Sequence, residues 1–234
     1  MTAMTGEGVR RPLSRELILD AALQLVDEDG LEALSMRRLG ARLGVEGMSL
    51  YRYVANKATL LDGLVERLVL SLDVHVDERA DWTAILVEVA ASYRRLAIAH
   101  PRAFPLLTTR PPATTAAIVR AEPVLAALAR AGFGPAERIV AAQTFFTFLN
   151  GYLLAEVGTV PGHGDEPEPD SLGAYRAVDA RLAPYVHEIG AAHDNSMSLE
   201  SEFDTSVAIV VEGCRKLLDG TITREQWSKR SLRH

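Results

Sequence analysis

Thiols are almost absent from this chain. One of its 234 residues is cysteine, Cys214, so no internal disulfide can form and no paired-thiol metal or redox site is available. No uninterrupted apolar run reaches the roughly 20 residues that a membrane-spanning helix needs. The most apolar stretch, Pro135 to about Val157, is interrupted by Gln143, Thr144, Thr147 and Asn150. The chain also lacks an HExxH pair, a phosphate-binding glycine loop and a nucleophile elbow. Clustered carboxylates lie in residues 158–170, where four acids share the segment with three glycines and three prolines. Such a composition buries too little to order itself, so we expect a mobile loop there rather than an acid–base site. His100, His187 and His193 have no metal-ligand spacing. These absences argue against an enzyme, a metal site, a cofactor and a membrane partner. The first residues carry Gly6, Gly8, Arg10 and Arg11 but no apolar signal-peptide core, so a cytoplasmic protein is expected.

What is present is segregated charge. The formal net charge is −6, yet residues 35–57 hold five Lys or Arg against one acid, Glu46, a local net of +4. Positive potential over one face is what docking on a polyanion requires, and acidic charge elsewhere limits nonspecific contact. Within that stretch Ser35 is a good N-cap. After it Met36, Leu39 and Leu43 fall on one helical face, with Arg37, Arg38 and Arg42 on the other. Gly44 stands where the helix must stop, and Val45 follows as an apolar plug. A second short helix is predicted from about Gly47 to Tyr53, with Leu50 and Val54 inward and Met48, Ser49, Tyr51, Arg52 and Tyr53 outward. Two helices joined by a tight turn, the second displaying polar and aromatic groups, make a helix-turn-helix that reads the major groove.

These residues carry a family resemblance. Residues 18–64, and most tightly LGVEGMSLYRYVANKATLLDGL from Leu43, resemble the tetracycline-repressor (TetR) family of transcriptional regulators. The resemblance implies that Arg37 and Ser49 contact bases, that Tyr51 and Tyr53 contact backbone or base, and that Lys57 anchors a phosphate. With Arg38, Gly47, Met48 and Arg52 these residues form the expected DNA-binding set. Two positions depart from the family pattern: Gly40 stands where Ala is usual, and Gly47-Met48 where small or polar residues are common.

The remainder is predicted to be all helical. An amphipathic helix from Ser14 to Gly30 completes a three-helix head. Lys57 to about Val76, capped by Asn56, forms a long connecting helix. Helices then follow at Trp82–Ala99, at Thr115–Ala131 with Pro123 kinking or splitting it, and at 135–157. A short stripe of Leu172, Tyr175, Val178 and Leu182 is closed by Pro184, and a last long helix begins at Ser198. The expected division is a tail at 1–12, a DNA-binding domain at 13–58, an effector-binding and dimerisation domain at 59–220, and a second tail at 221–234.

The resemblance also implies an effector cavity, with Phe104, Leu107, Arg110, Gln143, Phe146, Thr147 and Asn150 as contacts. Arg110 is open to two readings, a polar contact for the ligand or a structural cap. Leu106 and Thr147 stand where tetracycline-binding members carry the histidines that serve the drug's metal ion. The effector is therefore expected to be a mostly apolar molecule and not a magnesium–tetracycline complex. A homodimer is expected through the stripe Phe203, Val207, Val210, Val211, Cys214 and Leu217. The sequence thus points to a ligand-responsive DNA-binding regulator, a repressor released from a palindromic operator. The competing reading is a helical small-molecule-binding or interaction protein whose helix-turn-helix no longer binds DNA, which Gly47 in the reading helix favours.

Overall fold

The computed structural model describes residues 12–74, 79–158, 177–196 and 199–223. Among them every regular element is helical. The helices are α1 (Arg15–Asp29), α2 (Met36–Leu43), α3 (Gly47–Leu50), α4 (Lys57–Leu70), α5 (Trp82–Ala99), α6 (Pro105–Thr109), α7 (Thr115–Ile118), α8 (Glu122–Arg130), α9 (Pro135–Glu156), α10 (Pro184–Ser196) and α11 (Leu199–Leu218). Contacts divide the chain into two units. One holds the residues up to Ser71 together with Ala99–Arg120, and the other holds Leu72–Ile98 with the chain from Ala121 onward.

Local sequence explains most boundaries in the first unit. The Ser14 side chain accepts from Leu17 N at the start of α1, and Ser35 Oγ accepts from Arg38 N at the start of α2. Asn56 Oδ1 accepts from Thr59 N, which leaves Lys57 as the first residue of α4. Gly30 and Gly44 take positive φ values of 82° and 68°, conformations that cost a glycine little. Ile18, Leu19, Leu39, Leu50, Val54, Leu60, Leu64 and Leu68 form the buried core. Polar ties reinforce it. Arg15 donates to both carboxylate oxygens of Glu66 at 3.0 and 3.2 Å, joining α1 to α4. His100 Nδ1 meets Asp27 Oδ2 at 2.8 Å, and Arg102 donates to the carbonyl of Glu28, so the turn after α5 is fastened to the end of α1.

Two boundaries differ from expectation here. The reading helix α3 ends at Leu50 and continues as a turn through Tyr53, and α4 ends at Leu70, not near Val76. Ser71 closes α4 by donating its hydroxyl to Leu68 O. Leu72 and Val74, the next apolar residues described, do not extend the helix.

In the second unit α9 and α11 pack against each other, and α8 packs on α9. Arg94 of α5 makes a part-buried ion pair with Glu156 of α9 and lies over the Phe203 ring at 5.3 Å. Trp82 meets Phe133 edge to face at 5.2 Å. Pro123 does split the predicted 115–131 helix: a 3-10 turn intervenes, and the proline occupies the first turn of α8, where its missing N–H costs nothing. Pro184 opens a helix instead of closing one, for the same reason, and Val178 and Leu182 lie outside any described helix. The predicted loop at 158–170 falls outside the described residues from 159 onward, as do Leu172, Tyr175 and most of both tails.

The stripe assigned to a subunit interface needs correction. Phe203, Val207, Val211 and Cys214 are 2–7% exposed within a single chain. Tyr152 of α9 meets the Phe203 ring at 5.4 Å. The apolar periodicity was real, but its partner is the chain's own core. Val210 and Leu217 are half-buried at its edge. The outward face of α11 carries Thr205, Ala208, Ile209, Glu212 and Lys216.

Candidate nucleic-acid interface

The site is built from the turn between α2 and α3. Val45 N donates to Gly40 O at 2.9 Å, and Gly44 N returns to Ala41 O at 3.2 Å, which folds the chain back over α2. The two helices then touch through backbone. A Cβ built on Gly47 would lie 3.0 Å from Met36 O, so α3 rests directly on the first turn of α2. Leu50 and Val54 are buried beneath it, as predicted. Above them Met48 is 74% exposed and Tyr51 and Tyr53 are each 42% exposed. Leaving three large apolar groups uncovered costs solubility unless a surface meets them.

The cations sort into two groups. Arg42 donates two bonds of 2.6 Å to Glu28, and Arg38 donates one of 2.6 Å to Asp29, so both are tied to the end of α1. The Arg42 guanidinium also holds the Glu28 carboxyl below its usual range. Arg37, Arg52 and Lys57 are exposed and carry no ion pair or side-chain hydrogen bond among the described residues. Lys57 stands at the N-terminus of α4, where free backbone N–H groups and the helix field already favour an anion. Ser49 and Gly47 complete the set, Ser49 exposed and Gly47 half-buried against α2. Sequence reasoning did not find that Glu28 and Asp29 neutralise two of the arginines. The signal was present as an acidic pair at the end of α1, but only the fold brings it within reach.

The expected effector contacts are shared between the two units. Phe104, Leu107 and Arg110 belong to the first unit, and Gln143, Phe146, Thr147 and Asn150 to the second. Phe104 and Leu107 are buried. Arg110 has a partner already: its Nε donates to Asp62 Oδ1 at 2.5 Å and its Nη2 to Ala58 O at 3.1 Å, both on α4. These bonds tie the end of α6 to the first turns of α4. Gln143 and Thr147 are exposed, on an outward stripe with Ile139 and Gly151. They lie two positions, or about 200°, from the core stripe Ala141, Phe145, Leu149 and Leu153. Phe146 and Asn150 lie one turn apart and are half-buried, and Phe146 meets Tyr93 at 5.8 Å and Phe145 at 5.5 Å between centroids. Burial pushes the Tyr93 hydroxyl up to about 12. The Asn150 side-chain oxygen is buried and accepts no hydrogen bond. Among the described residues no three His, Cys, Asp or Glu are gathered to hold a metal ion, and no helix is long and apolar enough to cross a membrane.

A helix-turn-helix whose rim cations carry no ion pair among the described residues, in a fold whose described elements are all helices, is the architecture of a DNA-binding regulator. The comparisons with known proteins specify which kind. Residues 18–64 match the family described as "Bacterial regulatory proteins, tetR family", and residues 76–218 match "Tetracyclin repressor-like, C-terminal domain". A curated HTH-type transcriptional regulator of Saccharopolyspora erythraea is 33% identical over 201 residues, 86% of this chain and 84% of that protein. The tetracycline repressor protein class A from transposon 1721, of Escherichia coli, is 30% identical over 207 residues, 87% of this chain and 91% of its own length. Among solved structures, Streptomyces coelicolor ActR in complex with actinorhodin superposes with a TM-score of 0.75 at 26% identity, covering 90% of this chain and 99% of that one. The chain belongs to the TetR family of transcriptional regulators. It is a DNA-binding transcriptional regulator, and its curated relatives are regulators, not enzymes.

Proposed function

We propose that the chain is a homodimeric repressor released from a palindromic operator by a mostly apolar effector. The observation that carries the DNA half is the sorting of cations: Arg38 and Arg42 are spent on α1, while Arg37, Arg52 and Lys57 remain free around Met48, Ser49, Tyr51 and Tyr53. A two-fold dimer presents two such heads to two half-sites of the same symmetry. For the subunit contact we now favour the outward faces of α9 and α11, with Thr144, Thr147 and Gly151 on one and Ala208 and Ile209 on the other. Both helices leave small or apolar groups uncovered there.

The effector reading rests on Asn150. A buried amide oxygen without a donor among the described residues, one turn from Phe146, whose ring meets Tyr93, suits an aromatic ligand that supplies a hydroxyl or amide N–H. The solved complex of ActR with actinorhodin supports ligand binding in this family. Release is proposed to run through Arg110, whose bonds to Asp62 and the Ala58 carbonyl fasten the end of α6 to α4, immediately behind Lys57.

The test is fluorescence anisotropy of the full-length protein on DNA from upstream of its own coding sequence, at two salt concentrations. A salt slope corresponding to several phosphate contacts, together with a preference of about a thousandfold or more over random DNA, supports the reading. Equal affinity for random DNA would move it to the alternative, a binding protein with an idle helix-turn-helix.

A further inference from the structure

Arg130 and Arg138 of the second unit carry no ion pair among the described residues. Arg94, Arg95 and Arg215 are engaged with Glu156, Glu88 and Glu212. Arg130 and Arg138 make no hydrogen bond or ion pair among the described residues, and both line one open groove of about 560 Å³ between α8 and α9. Their meeting follows from the local fold. α8 ends at Arg130, Gly132 takes a φ of 101°, and α9 begins at Pro135, so the last turn of one helix and the first turn of the next face the same space. Gly134 caps α9 without a side-chain acceptor, which leaves the first N–H groups of a 22-residue helix to add their positive field. The floor is apolar, with Leu125, Ala129 and Ile139. Ile139, 65% exposed, keeps that floor open to solvent.

The charge is also graded along the groove. Glu122 lines it as well. It precedes Arg130 by eight residues, about 12 Å along α8 at 1.5 Å per residue. A guanidinium pair at one end, an apolar floor and a carboxylate at the other end select a short molecule with a single anionic head. Glu137, in the first turn of α9, folds back over Gly134 and is not among the lining residues.

We propose that this groove is a second ligand site, taking a small amphipathic monocarboxylate. Its carboxylate is held by Arg130 and Arg138 and its apolar body lies along Leu125, Ala129 and Ile139. Planar guanidinium donors match carboxylate geometry, and two of them line this groove without an ion pair among the described residues. Glu122 repels a second carboxylate at the far end, so dicarboxylic acids are rejected. The site shares no residue with the proposed effector contacts at Phe146 and Asn150, and it stands whether or not that reading holds.

The probe is octanoate, titrated calorimetrically into the full-length protein, with octan-1-ol and octanedioate as controls. The variants are Arg130→Ala/Arg138→Ala, both at surface positions, and Asn150→Leu. The expected result is binding of octanoate to the wild type and to Asn150→Leu, with at least a tenfold loss in the arginine double variant. Both controls should bind at least tenfold more weakly than octanoate. Absence of octanoate binding to the wild type overturns the proposal. So does equal affinity for octan-1-ol, equal affinity in the double variant, or loss in Asn150→Leu alone, which would place the acid in the effector site. A dimer that dissociates on arginine substitution, with no octanoate heat, would make the groove a contact between copies and overturn it as well.

Discussion

Gly40 and Gly47 meet backbone to backbone: a Cβ on Gly40 would stand 2.8 Å from the amide nitrogen of Gly47 and 2.8 Å from Val45 O. Both atoms are main chain and cannot swing aside. The two departures from the family pattern are therefore one feature, a closer seating of the reading helix on its support. Gly47, which favoured an idle motif when read from sequence, has a packing reason to be there. Gly40→Ala should force α3 away from α2, at a cost of about 1–3 kcal/mol of stability. Operator affinity should fall as well, read by anisotropy on the folded fraction. Unchanged affinity and melting temperature would show that the turn yields freely.

The sorting of cations makes a contrast testable within one helix. Arg37→Ala should cost roughly 1–3 kcal/mol and alter half-site preference if it reads a base. Arg38→Ala should cost much less, because its guanidinium is already paired with Asp29 in an exposed ion pair. Lys57→Ala should weaken all sequences alike and lower the salt slope by about one unit. Titrations at four salt concentrations separate these outcomes. A larger loss for Arg38 than for Arg37 would mean that the Asp29 pair opens on DNA.

How far the sequence could be read depends on whether a signal is local. Ser35, Gly44 and Asn56 act within three or four residues of themselves, so the helix-turn-helix and its caps were legible, and residues 18–64 match the family as the motif suggested. The stripe on α11 was legible as a stripe. Its partner was not, because periodicity states that a face is buried and leaves open whether the same chain or a second copy covers it. Arg110 illustrates the same limit, since Asp62 lies 48 residues away and nothing local pairs them. Gln143 and Thr147 were assigned to the cavity by the family resemblance, whereas the four-residue repeat they share with Ile139 and Gly151 is the better guide to their exposure.

That distinction gives opposite outcomes on one helix. Val211→Glu places a charge in the core of the single chain, where Val211 is 7% exposed, and should cost several kcal/mol and unfold or aggregate the protein. Ile209→Glu, at a position 68% exposed, should leave the melting of the monomer nearly unchanged and shift the solution mass from dimer toward monomer. Cys214, buried with its thiol pushed up by desolvation, should react slowly with a disulfide reagent in both states and quickly only after unfolding. Sedimentation analysis of the two variants decides the matter. A folded, dimeric Ile209→Glu would remove that face from the interface.

The Arg15–Glu66 clamp predicts how stability depends on acid. The Arg15 guanidinium, and after it the Thr114 side chain, hold the Glu66 carboxyl below the ordinary glutamate range, although burial opposes them. A carboxyl with a depressed folded value stabilises the fold fully above its unfolded pKa, about 4.3 for glutamate, and loses that contribution as pH falls through the lower folded value. Glu66→Gln should therefore be less stable than the wild type above about pH 5, and the difference should close as pH falls below the unfolded glutamate value of about 4.3. Since the clamp joins α1 to α4, the helix that presents Lys57, its loss should also loosen the head, seen as faster amide exchange at Leu60 and Leu64 with α9 unaffected. Denaturant midpoints of both proteins at several pH values between 3.5 and 7 provide the check. A gap between them that widens toward acid would reverse the sign of the linkage and show that Glu66 is not held as an anion.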